Sequence, residues 1–108
     1  MTECATQTTI EGALRLSIDE PMTIYGAGEL KRQIMGAVRS SSDIEIDLSH
    51  VAEMDTAGFQ LLVMARQESR RLGHTLRLSA PSPAVREVLD FYNMDAFFGD
   101  SMTLPTEY

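Results

Sequence analysis

The chain has 108 residues, 44% of them hydrophobic and 23% charged, which is the size and composition of one globular domain with its own core. Its 16 acidic and 9 basic residues give a net charge of −7, which repels a nucleic-acid backbone and an anionic bilayer. We therefore expect neither nucleic acid as a partner nor direct membrane insertion. The lone cysteine, Cys4, cannot form an internal disulfide, and the longest apolar stretch, around Leu61 to Ala65, is too short to span a bilayer. Since the N-terminus also shows no basic region followed by an apolar one, we expect a cytoplasmic protein.

The first half of the chain predicts two strands, a helix and a further strand. Residues 8–18 alternate between apolar and polar side chains around a glycine, which predicts a short hairpin or two edge strands. Residues 27–40 place apolar side chains at helical spacing and predict the first helix. Residues 43–48 alternate most cleanly and predict a strand with Glu45 and Asp47 on its outward face.

The second half of the chain predicts two more helices with a strand between them. Residues 57–72 return to helical spacing, and Gly73 is a suitable residue to end that helix. Residues 74–79 predict a strand, after which Ser82 and Pro83 are typical of the N-cap and first position of a helix. Three phenylalanines near the end are expected to fold back onto the core: Phe91, Phe97 and Phe98.

This order of elements predicts the α/β class. Strands that alternate with helices favour a mixed sheet of about four strands covered by helices, because crossover helices must lie on the face of the sheet. We treat residues 1–108 as a single domain with a core at about 8–100.

The junction between the predicted strand 43–48 and the helix 57–72 carries the most informative residues, Asp55 and Thr56. Free N–H groups and the helix dipole at a helix start favour carboxylates and phosphates. One interpretation is that Asp55 or Thr56 is simply the N-cap and that Gly58 permits close packing. The other is that these residues form a functional site.

The same junction resembles the signature of STAS domains, a family named after sulphate transporters and anti-sigma factor antagonists. The matching run leads from Asp47-Leu48-Ser49 through Met54-Asp55-Thr56-Ala57-Gly58 into a leucine-rich helix. Ala27-Gly28-Glu29-Leu30 resembles the start of the family's first helix, and residues 82–89 resemble the helix after its later strand. The resemblance covers residues 8–100 and implies the STAS fold.

Resemblance to the anti-sigma factor antagonist branch implies a non-enzymatic, protein-binding switch. In that branch a phosphorylatable hydroxyl directly follows the aspartate of the motif, and here that position is Thr56. A phosphate there adds about −1.5 to −2 charges beside Asp55. A docking partner, implied to be an anti-sigma factor or serine kinase, would then meet repulsion and new bulk, so phosphorylation is expected to weaken binding.

Two residues depart from the pattern of kinase-regulated members. The next motif position holds Ala57 rather than Ser or Thr, and Thr23 stands near the position where such members often have an aspartate. The Asp-Thr-Ala-Gly form also resembles the STAS subunit that docks on the ATPase of bacterial phospholipid-transport ABC complexes. It resembles STAS proteins that accompany chemotaxis systems as well. These are alternative partners for the same domain.

The expected partner surface combines the junction with the preceding loop and one flank of the helix. Leu61, Leu62 and Ala65 share a helix face with Arg66 and Arg70 at its rim, which is the pattern of a small apolar recognition patch. The alternative is that the later helix or the tail covers this face. The residues expected to contact a partner are Met22, Thr23, Tyr25, Asp55, Thr56, Ala57, Gly58, Phe59 and Val63.

Enzymatic, metal-binding and cofactor functions lack a recognisable sequence pattern. His50 and His74 belong to no nucleophile or metal-ligand motif, so we interpret both as loop histidines. An enzyme using Asp55 and His50 is the third hypothesis, after the switch and the transporter subunit. Gly26-Ala27-Gly28 has no Lys-Ser/Thr ending, so it favours a tight strand-to-helix turn over a phosphate-binding loop. We expect no catalytic residue, no metal and no cofactor.

Overall fold

The computed structural model describes residues 5–10, 12–92 and 102–103, and in this part of the chain a mixed sheet packs against helices. The elements in chain order are β1 (Ala5–Ile10), β2 (Ala13–Ile18), α1 (Ala27–Ser40), β3 (Asp43–Asp47), α2 (Thr56–Leu72), β4 (Thr75–Ser79), α3 (Pro83–Phe91) and β5 (Met102–Thr103).

The strands lie in the sheet in the order of the chain, β1-β2-β3-β4-β5. β1 and β2 form the predicted antiparallel hairpin, whereas β2, β3, β4 and the two-residue β5 pair in parallel. Parallel neighbours need crossover connections, and α1 and α2 supply the first two of them. The predicted α/β class and mixed sheet are confirmed, with four longer strands and the short β5.

One hydrophobic cluster joins β2, β3 and β4 to all three helices. Apolar side chains stand in register across the sheet, with Leu16 opposite Ile46 and Ile46 opposite Leu78. These three side chains are fully buried, as are Leu30 of α1 and Leu62 of α2. The helices contribute their apolar faces to the same cluster, in which α1 and α2 also contact each other.

The helix ends that the sequence predicts agree with the structure to within one residue. α1 occupies the predicted range, and α2 begins at Thr56, one residue before its predicted start. Gly73 ends α2 in the left-handed conformation, at φ 73°, which glycine adopts without steric cost. Ser82 caps α3 by accepting the N–H of Val85 at 3.3 Å, and its hydroxyl donates to the carbonyl of Val51 at 2.6 Å. This buried serine therefore fixes α3 against the loop that follows β3.

Asp47 lies on the predicted outward face of β3, beside Arg15 of β2, but it is buried, which corrects its expected exposure to solvent. Its carboxylate accepts hydrogen bonds from the Arg15 guanidinium on β2 and from the backbone N–H of Ser49, both at 2.9 Å. Burial alone would raise the pKa of Asp47, but the Ser49 and Arg15 hydrogen bonds outweigh it and hold that pKa below its ordinary value. The buried carboxylate is tolerated because it is paired and hydrogen-bonded.

Phe91 does not fold back onto the core, and this part of the tail prediction is wrong. Its side chain is 80% exposed at the end of α3, because Val85 and Leu89 occupy the inward face of that helix. Phe97 and Phe98, the other two residues of the prediction, lie outside the described residues.

Candidate functional site

The Asp55 carboxylate joins the start of α2 to the loop between β2 and α1. Its Oδ1 accepts the N–H groups of Ala57 at 2.8 Å and Gly58 at 3.2 Å, so Asp55 is the N-cap of α2. Its Oδ2 accepts the N–H of Ile24 at 3.0 Å. The Ile24 hydrogen bond is the largest cause of a lowered pKa for Asp55. Desolvation, the next largest effect, would raise this pKa, but the Gly58 and Ala57 hydrogen bonds add to that of Ile24 and keep the pKa below its ordinary value. Asp55 is therefore ionised at neutral pH and holds two loops together.

The loop from β2 runs so close to α2 that only glycine fits at position 58. Met22 and Met54 form an isolated parallel β-bridge, which is made by hydrogen bonds between Met22 and the two neighbours of Met54. The N–H of Met22 donates to the carbonyl oxygen of Glu53 at 2.8 Å, and the N–H of Asp55 donates to the carbonyl oxygen of Met22 at 3.1 Å. A Cβ on Gly58 would meet the Met22 carbonyl group and lie 2.7 Å from the Met22 Cβ. The expected contact of Met22 and Gly58 with a partner is corrected, because both residues are buried and support the surface from below.

Thr56 is exposed at the first position of α2, where its hydroxyl is accessible from solvent. Its Oγ1 lies 3.0 Å from the hydroxyl oxygen of Tyr92 at the end of α3. Asp55, not Thr56, caps the helix, so the hydroxyl of Thr56 is not committed to that structural role. The sequence analysis missed Tyr92 because it lies 36 residues from Thr56 and carries no local signal.

Phe59 is covered by Tyr92, which corrects its expected place on the exposed flank of α2. The two rings are stacked with their centroids 4.6 Å apart and their planes at 10°. Phe59 is only 6% exposed, so a partner would meet Tyr92 above it. Val63 is half-buried and packs against the core cluster, and Ala57 is half-buried in the first turn of α2.

Exposed apolar side chains surround the start of α2 on two sides. On one side, the loop before α1 presents Ile24, which is 68% exposed, and Tyr25, which is 97% exposed. On the other side, α3 ends in Phe91. An open cleft of about 640 Å³ lies beside Thr56 and includes Thr23 in its lining. Large apolar side chains are rarely left in solvent as a group unless they belong to an interaction surface.

The proposed apolar patch farther along α2 is wrong. Leu61, Leu62 and Ala65 are buried in the core cluster, so this face of the helix packs inside the protein. Arg66 is also buried, whereas Arg70 is exposed. Among the described residues, the large exposed apolar side chains therefore lie in the loop before α1 and at the end of α3, on either side of the N-terminal end of α2.

The two histidines make their polar contacts with residues outside this surface. His50 is exposed, with Nδ1 3.3 Å from the Ser49 hydroxyl and 3.9 Å from the Asp19 carboxylate. The Nδ1 atom of His74 lies 2.9 Å from the carbonyl oxygen of Val38, which ties this histidine to the end of α1. Within the described residues, no group of three or more His, Cys, Asp or Glu side chains is placed to hold a metal ion.

Comparison with known proteins relates this fold to proteins of one family. A family model described as the STAS domain matches residues 5–107. Similar solved structures include a Thermotoga maritima protein, with 17% sequence identity, a TM-score of 0.81, and coverage of 94% of this chain and 86% of that one. Within the part of the chain that the structure describes, every helix is too short or too polar to span a bilayer.

Two further similar structures are named as an anti-sigma factor antagonist and as a cell fate determinant. An anti-sigma factor antagonist from Mycobacterium paratuberculosis has 21% identity and a TM-score of 0.78, with coverage of 87% of this chain and 80% of that one. The Bacillus cell fate determinant SpoIIAA in its phosphorylated form has 18% identity and a TM-score of 0.71, with coverage of 95% and 92%. At these identities the likeness shows the shared fold.

Proposed function

Because the chain belongs to the STAS domain family, we propose that it is a non-enzymatic, cytoplasmic regulatory module that binds a protein partner and is switched by phosphorylation of Thr56. The observation that carries the proposal is the exposed hydroxyl of Thr56 at the start of α2, beside a cleft whose lining includes Thr23 and Phe91. The proposed partner is an anti-sigma factor with kinase activity. The proposal is also supported by the fold that this chain shares with SpoIIAA, an anti-sigma factor antagonist whose structure is known in unphosphorylated and phosphorylated forms.

The proposed modification is a phosphoryl transfer from a nucleoside triphosphate bound by the partner. The Oγ1 of Thr56 forms a new bond to the γ-phosphorus while the bond from that phosphorus to the β,γ-bridging oxygen breaks. The hydroxyl proton passes to a base of the kinase or to water, and the nucleoside diphosphate leaves. Thr56 is suited to this step because its hydroxyl is exposed and caps no helix.

The phosphate would act as a switch because the site offers it little internal neutralisation. The N–H groups of Ala57 and Gly58, which a phosphate at a helix start would otherwise recruit, already donate to Asp55. The new charge would also stand next to the Asp55 carboxylate. An approaching partner would have to desolvate this charge without a counter-ion. In comparable interfaces this weakens binding by several kcal/mol. Each 1.4 kcal/mol corresponds to about a tenfold loss of affinity.

The alternative function is constitutive docking on a transporter ATPase or a chemotaxis protein. It is supported by Ala57 in the motif and by the hydroxyl-bearing Thr23 in the preceding loop, the two departures from kinase-regulated members. The same exposed surface would serve this function, but Thr56 would remain unmodified. The presence or absence of phosphate on Thr56 in the native cell, measured by mass spectrometry, therefore separates the two functions.

The proposal is tested by calorimetry of the purified chain with the anti-sigma kinase of the same cell. Thr56→Glu is expected to weaken binding by at least about thirtyfold, corresponding to roughly 2 kcal/mol. Its melting temperature should change little, because a helix start tolerates an acidic side chain. The matched control is Gln67→Glu, which adds the same charge to an exposed position three turns along α2 and should bind like the wild type. Equal affinities for the wild type and Thr56→Glu would contradict the proposal.

A further inference from the structure

The Tyr92 side chain is held in place by packing and directs its hydroxyl group at Thr56. Its ring stacks on Phe59, and the Phe91 ring meets it edge-on with the centroids 5.0 Å apart. The hydroxyl oxygen of Tyr92 then lies 3.0 Å from Oγ1 of Thr56. Stacked and edge-on aromatic pairs favour fixed relative positions of the rings, so the hydroxyl is oriented before it contacts Thr56.

We propose that Tyr92 is a positioning residue for the Thr56 side chain and that it couples the chemical state of Thr56 to the aromatic end of α3. The proposal rests on the function proposed above, because it concerns a threonine that exists with and without phosphate. It adds a second element, α3, to the surface that responds to the modification.

The contact changes its character when Thr56 is phosphorylated. In the unmodified protein either hydroxyl can be the donor, and the hydrogen bond restricts the Thr56 side chain to one rotamer. A phosphate dianion has acceptor oxygens only, so the Tyr92 hydroxyl becomes the donor of a charge-assisted hydrogen bond. The stack on Phe59 keeps this donor within reach of the new phosphate oxygens.

The hydrogen-bond donor of Tyr92 is important because the other titratable groups around Thr56 repel a phosphate. The titratable groups that line the cleft beside Thr56 are Glu53 and Asp55 from the loop before α2, and Glu87 and Tyr92 from α3. Three of these four groups are carboxylates that repel a phosphate, and Tyr92 is the one with a hydrogen to donate at neutral pH. The N–H groups of Ala57 and Gly58 in the first turn of α2 are occupied by Asp55.

The coupling extends to the exposed surface of α3. Phe91 contacts the edge of Tyr92 and is 80% exposed, so a hydrogen bond that holds Tyr92 more firmly against a phosphate also holds the aromatic side chain that a partner meets at the end of α3. The surface that responds to phosphorylation therefore includes Phe91 and is not limited to the loop carrying Asp55.

The test is a ³¹P NMR titration of the full chain with phosphothreonine installed at position 56 during translation, so that no kinase or partner is involved. The second pKa of the phosphate, about 6 in a free phosphothreonine, reports hydrogen bonds to the dianion. Donation from Tyr92 stabilises the dianion and lowers this pKa. Tyr92→Phe keeps the ring and its stack but removes the donor, so it should raise the phosphate pKa by roughly 0.5 to 1.

Two further variants make the result specific. Tyr25→Phe removes the same hydroxyl from a side chain that is 97% exposed, and the phosphate pKa should stay at the wild-type value. Phe59→Leu removes the stack but leaves the Tyr92 hydroxyl in the chain, and it should raise the phosphate pKa toward that of Tyr92→Phe. Thermal melts establish that each variant is folded at the titration temperature.

The same phosphate pKa in the wild type and in Tyr92→Phe would overturn the role of Tyr92. A wild-type pKa in Phe59→Leu would overturn the part played by the stack. Because no partner is present, either result leaves the Thr56→Glu affinity measurement as a separate test of the proposed function. An unchanged affinity in that measurement would instead remove the partner switch while the Tyr92 contact stands.

Discussion

Asp55 and Gly58 illustrate how a structural role and a functional role coexist within four residues. The carboxylate of Asp55 is the N-cap that the sequence suggests, and it also fixes Ile24 of the neighbouring loop. Gly58 lets that loop approach α2 through Met22. Neither role requires the Thr56 hydroxyl, which leaves this side chain available on the surface. The cap and the candidate switch are thus adjacent residues with separate tasks.

The close approach at Gly58 predicts a large cost for adding one methyl group. In Gly58→Ala the new Cβ would collide with the backbone and Cβ of Met22, neither of which can move away without disturbing the bridge to Met54. We expect the free energy of unfolding to fall by about 3 kcal/mol, in the upper range for overpacking. Urea denaturation followed by circular dichroism measures the change.

Gly36→Ala is the matched control for this substitution. Gly36 also lies within a helix, but nothing lies within 4 Å of the position its Cβ would take. Alanine there should raise the free energy of unfolding by about 0.5–1 kcal/mol through helix propensity alone. A Gly58→Ala protein that is as stable as Gly36→Ala would show that the loop yields and that Met22 does not constrain α2.

At the scale of whole elements, local sequence signals predicted most of the fold. The spacing of apolar residues gave the range of α1, and the chemistry of Ser82 and Gly73 marked two helix ends, because these signals act within a few residues. The contacts that shape the candidate site could not be predicted in this way. Tyr92 reaches Thr56 across 36 residues through the packing of α3, which a local pattern does not encode.

Burial on individual faces was the other property that the sequence left open. Leu61 and Leu62 fit either an exposed patch or the core, and tertiary packing decides for the core. Asp47 alternates as an outward strand residue, yet it is buried because Arg15 on the adjacent strand pairs with it. The spacing of apolar residues along the sequence shows which residues share a face of a helix or strand, but it does not show what covers that face.

The pairing of α1 with α2 predicts an acid-sensitive contribution to stability. The Glu68 carboxylate on α2 accepts hydrogen bonds from Arg71 at 3.0 and 2.8 Å on the same helix and from Arg39 at 2.9 Å on α1. These partners, Arg71 first, lower the pKa of Glu68 from 4.5 to about 2. In the folded state Glu68 therefore gives up its proton at a lower pH than in the unfolded chain.

The sign of the pH dependence follows from this lowered pKa. The contribution of Glu68 is fully present above pH 4.5 and is lost as the pH falls toward 2, because the unfolded state binds the proton first. Urea midpoints measured between pH 5 and pH 2 should fall less steeply for Glu68→Gln than for the wild type. Parallel curves for the two proteins would mean that these ion pairs do not contribute to stability.

At the scale of the whole molecule, the continuity of the core predicts a single cooperative unfolding transition. The hydrophobic cluster contains side chains from both the β2 strand and the α2 helix, and the radius of gyration of 12.7 Å matches the roughly 13 Å expected for one compact unit of this length. We expect urea unfolding curves from far-ultraviolet circular dichroism and from tyrosine fluorescence to coincide. The first reports the helices, and the second includes Tyr92 at the contact between α2 and α3.

Core truncations on β2 and on α2 sharpen this prediction. Leu16→Ala on β2 and Leu62→Ala on α2 each remove a fully buried side chain and should lower the free energy of unfolding by about 2–5 kcal/mol. Because both side chains belong to the same cluster, each substitution should displace the two unfolding curves by the same amount. If Leu16→Ala left both midpoints in place while Leu62→Ala lowered them, the hairpin would unfold separately from the helices. The chain would then contain two independently stable parts, and the single-domain interpretation would be wrong.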